Sequence, residues 1–296
     1  MINAAKVETR SFRGAGFFCI LFVVFALPTT VSTQKTAVLA PDRTEKSRSF
    51  AEKLVSHLAV KIRVLDMDLS EAAYSSVSSP TPFNLTIGES KRIGSVTGSD
   101  ILILVRSANQ RRSAFGRAEY YEAFAVVYVV STRTGRLIWW KLLSYEATGS
   151  DQSDKLLEAG IAPLSDEIAG HVLSTIKNEI NESPAISIEE VPSEGSPLAK
   201  GLRPPVPYSR IKPEYPAAAA LYEVTATVEA LVDLDASGII KRMDITRWAG
   251  FGLEESVEKA IRQMNWRPAE RNGKALAMRF LLRYNFKKLD KDPANQ

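Results

Sequence analysis

The sequence predicts an α+β protein built as an N-terminal α/β domain followed by a small C-terminal domain of order β-β-α-β, an antiparallel sheet with a helix on one face. Three observations carry this. Residues 36 to 180 alternate between helical and strand patterns. Near the C-terminus, Val224, Ala226, Val228, Ala230, Val232 and Leu234 alternate with mostly polar residues, and Leu276, Met278, Phe280, Leu282, Tyr284 and Phe286 do the same. Between these two runs, Leu253, Val257, Ala260, Ile261 and Met264 recur at helical spacing.

At 296 residues and 45% hydrophobic, the chain is long enough for two modest cores. Its 38 basic and 34 acidic residues give a net charge of +4 and are mixed along the whole length. That mixing leaves no basic stripe of the kind a nucleic-acid partner requires. The single cysteine, Cys19, lies in an apolar N-terminal segment, so the folded part is expected to carry neither a disulfide nor a cysteine metal site.

Lys6, Arg10 and Arg13 precede an apolar run from Gly14 to Leu27, which Pro28 and a small polar stretch close. A positive flank and about 14 apolar residues fit an export signal better than a spanning helix, which needs about 20. Residues 1–34 are therefore read as a signal peptide cleaved near Gln34, or as an inner-membrane anchor over residues 14–27. Either way the protein is exported to the periplasm. Phe17 and Phe18 before Cys19 are too bulky for a bacterial lipoprotein signal.

The α/β domain spans residues 35–182. Thr36 to Ala40 reads as a strand, and Phe50, Leu54, Leu58 and Ile62 as a helical stripe. Val64 to Met67 suggests a short strand, and Asn84 a cap for a helix through Ile87, Lys91 and Ile93. Ile101 to Val105, Tyr120 to Ser131 and Leu137 to Ala147 are strands, and Leu156 to Ile180 is helical with an interruption near Pro163. Prolines 184, 192, 197, 204, 205 and 207 then mark residues 183–207 as a semi-extended linker with little structure of its own. The C-terminal domain occupies 208–287, and 288–296 is a polar tail.

Within that domain, Asp235-Ala236-Ser237-Gly238 supplies a turn, and Ile239 to Ile245 runs back as the second strand. Pro268 ends the helical region and Asn272-Gly273-Lys274 is a second turn before the last strand. Tyr215-Pro216 with the alanine run 217–220, Val232 to Gly238, Trp266-Arg267-Pro268-Ala269 and Asn272-Gly273-Lys274 occur in order at plausible spacings. In this respect residues 208–287, about a quarter of the chain, resemble the C-terminal domain of the TonB family, the periplasmic energy transducers of bacteria with two membranes. The resemblance makes Tyr215, Pro216, Asp235, Gly238, Trp266, Pro268 and Gly273 structural motif residues. More weakly, residues 35–182, and Val130 to Trp139 above all, resemble the CsgG-type and TolB-N-type domains of exported envelope proteins.

The resemblance implies two partners, an outer-membrane receptor or transporter peptide and an inner-membrane proton-driven motor. In the TonB family a histidine inside the membrane anchor couples to that motor. Here both histidines, His57 and His171, lie outside the segment. A periplasmic adaptor or assembly factor that is not energised is the alternative.

The candidate binding element is the last strand, through Ala277, Met278, Arg279, Phe280, Leu281, Leu282, Arg283, Tyr284 and Asn285. At a sheet edge its backbone can take an extended peptide as an added strand, with exposed Arg279 and Arg283 favouring an acidic or polar one. A covering tail or a second copy of the domain, giving a homodimer, would occupy the same edge. Other constellations are weaker. Asp233, Asp235 and Gly238 copy the start of an EF-hand calcium loop, with Asp244 in place of the final glutamate, but their flanks have strand period and a hairpin turn is the better reading. Asp66 and Asp68 at strand spacing would share a face as a carboxylate pair, more simply a solvated strand end. Trp248, in a glycine-rich loop, is the best candidate among the tryptophans for an exposed contact. No catalytic spacing, metal site or cofactor motif emerges, so a non-enzymatic protein is expected.

Overall fold

The structure is a computed structural model, and it describes residues 34–77, 79–114, 116–179, 188–193 and 195–287. The segment read as signal or anchor lies outside these residues except for Gln34, as do the whole polar tail 288–296 and the start of the linker. Among the described residues no helix is long and apolar enough to cross a membrane.

The N-terminal part comprises β1 (Lys35–Leu39), α1 (Glu45–Leu58), β2 (Arg63–Val64), α2 (Met67–Ser75), α3 (Ile87–Thr97), β3 (Ile101–Ala114), β4 (Arg117–Ser131), β5 (Leu137–Ala147), α4 (Ser150–Ala159) and α5 (Ile161–Glu179). Its five strands form one sheet in the order β2-β1-β3-β4-β5. β1 pairs parallel with β2 and β3, and the rest is antiparallel. Because side chains alternate across a strand, Val38, Ile101, Ile103 and Val105 enter one core with α1, α4 and α5. Ala37, Leu39, Leu102 and Leu104 enter the other. Burial on both faces is why Ile101 to Val105 is an unbroken apolar run.

Three local expectations are corrected here. Val64 ends its strand, and Asp66 caps α2 by accepting from the Leu69 amide at 2.9 Å. Asp68 instead meets Arg48 at 2.7 Å, so the two carboxylates do different work and do not form a pair. α3 is capped by Thr86, in a reciprocal capping box with Glu89. The interruption in the long helical stretch falls at Gly160, and Pro163 sits in the first turn of α5, where its missing N–H costs nothing.

The C-terminal part comprises β6 (Leu202–Arg203), β7 (Val206–Pro207), α6 (Ala217–Leu221), β8 (Ala226–Leu234), β9 (Ile240–Arg247), α7 (Leu253–Gln263), β10 (Trp266–Arg267), β11 (Ala269–Arg271), β12 (Lys274–Leu276) and β13 (Met278–Phe286). β13, β8 and β9 make an antiparallel sheet in that order, and α7 packs Leu253, Val257, Ala260 and Ile261 against it. The α+β class and the β-β-α-β order are as expected. Asn272 and Gly273 both have positive φ and join β11 to β12 by a two-residue turn.

Gly238 combines φ +84° with a neighbour so close that an added Cβ would lie 2.2 Å from the Trp266 carbonyl oxygen. Gly238→Ala is accordingly expected to cost roughly 2–4 kcal/mol, through left-handed strain plus displacement of β10. A shift in the thermal midpoint of only a degree or two would show that the hairpin can yield.

The segment expected to be a linker is not structureless. β6 pairs with β11 and β7 with β10, and Glu190 bridges to Arg279. Prolines at 204, 205 and 207 suit short edge pairings that need few donors, so composition alone resembles a linker. All described residues fall in one compact unit. The outer face of the five-stranded sheet and the C-terminal sheet share one core, with Leu104, Val126 and Tyr128 in the same cluster as Val228, Trp248, Phe251 and Leu253.

Asn84 fastens this junction. Its side-chain amide donates to the backbone oxygens of Thr227 (2.8 Å) and Trp248 (2.6 Å), and its Oδ1 accepts from the Thr227 amide (2.9 Å). Read as a helix cap, Asn84 is a bridge between sequence-distant parts.

Candidate functional site

β13 is the edge of its sheet. Along its inner side every residue from Met278 to Phe286 is in register with β8, from Leu234 to Ala226. On its outer side the chain's own residues attach at one point. The Val191 amide donates to the Arg279 oxygen and the Arg279 amide donates to the Glu189 oxygen, both at 2.8 Å. This is a parallel bridge centred on Glu190.

Backbone groups alternate direction along a strand, so Leu281, Arg283 and Asn285 turn their N–H and C=O the same way as Arg279. No described residue pairs with those outward groups. The other half of the strand, Met278, Phe280, Leu282 and Tyr284, directs side chains inward, and Ala277 is the exposed residue that leads into it. Phe280 packs on Trp266 with ring centroids 5.1 Å apart.

Alongside the edge runs a groove of about 520 Å³. Pro205, Val206 and Ile211 form one wall, and Phe280, Leu282 and Tyr284 the other. Arg210, Lys212 and Arg283 stand on its rim. An added strand would place alternate side chains in this groove and the rest beside exposed Leu281.

The two arginines differ from expectation. Arg279 is not exposed: its side chain is 15% accessible, and it grips buried Asp233 across the strand pair at 2.5 and 2.7 Å. That bidentate pair pushes the guanidinium further above its usual range. Arg283 does reach solvent, 60% accessible, while bonding Glu229 at 2.8 Å. The difference arises from neighbours: Arg279 lies opposite Asp233 in register, beneath the Glu189–Val191 segment.

The motif residues serve the scaffold that holds this edge. The Tyr215 hydroxyl donates to the backbone oxygens of Ala219 and Val224 at 3.1 and 2.9 Å, and its ring stacks on Phe286. Pro216 immediately precedes α6. Trp266 is buried, with Nε1 donating to the Ile261 oxygen at 3.3 Å, and Pro268 lies beside Gly238. Gly273 completes the β11–β12 turn.

Asp235 accepts from the Ser237 hydroxyl and amide and from the Ile239 amide, which hold its carboxyl well below the usual range, and Lys241 stands 3.0 Å away. The calcium-like residues thus have separate tasks: Asp233 pairs with Arg279, Asp235 builds the turn, and Asp244 meets Arg136 and Arg242 at 3.2 and 2.6 Å. Trp248 is 1% exposed and lies against Tyr128 in the junction, so it is not a surface contact. His171 stacks on Trp139.

Sequence reasoning missed the Glu189–Val191 attachment. Its signal is faint, two acidic residues and a valine inside a proline-rich stretch.

No curated protein matches the chain. Among solved structures, the Pseudomonas aeruginosa TonB C-terminal domain is 19% identical with a TM-score of 0.26, covering 29% of this chain and 89% of that one. A hypothetical protein of Chlamydia trachomatis is 15% identical (TM-score 0.30), and a lipoprotein of Neisseria meningitidis is 13% identical (TM-score 0.31); each match covers 51% of this chain and 99% of the other. Residues 211–288, the last quarter of this chain, match the family described as Gram-negative bacterial TonB protein C-terminal.

Proposed function

We propose that this chain is a non-enzymatic periplasmic coupling protein that holds an extended segment of an outer-membrane receptor or transporter as an added strand on β13. One observation carries the reading. The outer side of β13 already accepts a strand, the chain's own Glu189–Val191, while the main-chain groups of Leu281, Arg283 and Asn285 beyond it have no partner among the described residues. The TonB-type domain supports an envelope location. Arg210, Lys212 and Arg283 favour an acidic or polar segment.

The test uses proline, which removes one donor at a chosen side of the strand. In Leu281→Pro the lost N–H faces outward, so the sheet should persist while a photo-crosslinker at Arg283, in the native envelope, loses its outer-membrane adduct. Leu282→Pro removes a donor to β8 and should unfold the domain. An adduct that survives Leu281→Pro in folded protein would overturn strand addition.

The non-energised adaptor is the second reading, and the shared core favours it. Force applied through the N-terminus would act on a domain already docked against the α/β layer by Trp248, Phe251 and Asn84. The N-terminal residue and membrane partition of the native protein separate the two. Intact Met1 in the inner membrane supports coupling to a proton-driven motor, and a soluble chain starting near Gln34 supports the adaptor.

A further inference from the structure

The Glu189–Val191 segment is held against β13 by side chains as well as by its two main-chain bonds. At one end Arg271 forks onto the Glu189 carboxylate, Nη2 donating to Oε1 at 2.5 Å and Nη1 to Oε2 at 3.1 Å. The same Nη2 reaches the Leu198 oxygen at 3.4 Å. In the middle, Glu190 lies 3.9 Å from Arg279. At the other end Val191 lines the β13 groove beside Phe280 and Leu281. The fork holds the Glu189 carboxyl below its usual range and lifts the Arg271 guanidinium above its own.

Arg271 does not belong to the strand pair it helps to cover. It ends β11, in the small sheet β12-β11-β6, opposite Lys274 and Leu202. Its side chain does not line the groove. The segment is therefore pinned between two sheets, by main chain to β13 and by a side chain to β11. Both members of the ion pair are partly exposed, Arg271 at 32% and Glu189 at 41%, so their attraction is modest and screened by salt. Such a hold can open locally without unfolding either sheet, since the β13–β8 and β11–β12 ladders do not use these groups.

We infer that Glu189–Val191 is an autoinhibitory strap. Latched to Arg271, it withholds the Arg279 position and the adjoining part of the groove from a partner strand. Its release lengthens the edge on offer from three outward positions, Leu281, Arg283 and Asn285, to four. This inference rests on the reading of β13 as a site of strand addition. A structural brace is the plainer role, and the two differ in what release does: losing a brace leaves partner binding unchanged or weaker, whereas losing a strap strengthens it.

Two variants loosen the segment without altering β13. Arg271→Gln removes the latch, and Val191→Pro removes the N–H given to the Arg279 oxygen, next to the proline already at 192. Hydrogen exchange of the purified protein, read at the Arg279 amide, should speed up roughly tenfold in each. Added salt should speed it in the native sequence and not in Arg271→Gln. In the native envelope, adducts from a photo-crosslinker at Arg283 should rise about threefold or more in both variants. Faster exchange together with more adduct supports the strap. Exchange unchanged in both folded variants overturns the latch and leaves the β13 reading standing. Faster exchange with the adduct unchanged or reduced also overturns the inference and makes the segment a brace. An adduct insensitive to Leu281→Pro in folded protein is a separate failure, of the β13 reading itself, and the strap falls with it.

Discussion

Asn84→Ala is expected to lower the free energy of unfolding by roughly 3–5 kcal/mol, measured by urea titration at neutral pH. The substitution removes one side chain and leaves three backbone groups without their partner, the N–H and C=O of Thr227 and the C=O of Trp248. Asn84 is only 7% exposed and Trp248 1%, so water does not readily replace the lost amide. The damage should be felt at the junction: the emission of Trp248 should shift red before the rest of the chain unfolds. A loss under about 1 kcal/mol would mean that water reaches Thr227 and Trp248 after all, and that the junction rests on apolar contact alone.

Asp233→Ala is expected to cost a similar amount, roughly 3–5 kcal/mol, because it strands the guanidinium of Arg279 in a largely buried site. The informative companion is Asp233→Leu with Arg279→Met, which removes both charges together. Ion pairs at this depth gain little net energy over well-packed apolar groups, so the double variant should recover most of the stability. Because Arg279 holds Glu189 and Val191 through its main chain, the folded double variant should keep that bridge. If the double variant is as unstable as the single one, the pair sets the geometry of β13 in a way that packing cannot replace.

The two residues also mark how far the sequence could be read. The period of Val224–Leu234 and of Leu276–Phe286, the stripe on α7 and the two turns are local signals, and each appears where it was expected. Arg279 was misread because a strand's alternation gives its face but not its neighbour across the sheet; pairing with Asp233 depends on register over 46 residues. Asn84 and Trp248 are misread for the same reason at longer range, since a capping-type residue and a tryptophan in a glycine-rich loop look solvent-facing until the two sheets are brought together. The edge strand β13 is legible as a strand, but its partial occupation by Glu189–Val191 is not. A single bridge from a proline-rich segment leaves no periodic trace.

That bridge has a kinetic consequence. If β13 takes an added strand as proposed, Glu189–Val191 is an internal competitor tethered to the strand it covers, and tethering gives it an effective concentration that a free peptide must overcome. The outward positions at Asn285, Arg283 and Leu281 nevertheless offer a toehold. On that reading, a partner strand that lands there would advance toward Arg279 and displace the single resident bridge last. Capture by this route would be strand exchange, in which each of the two main-chain bonds lost at Arg279 is replaced as it breaks. Selectivity then lies in how many positions the incoming segment can fill beyond the single one the chain fills for itself.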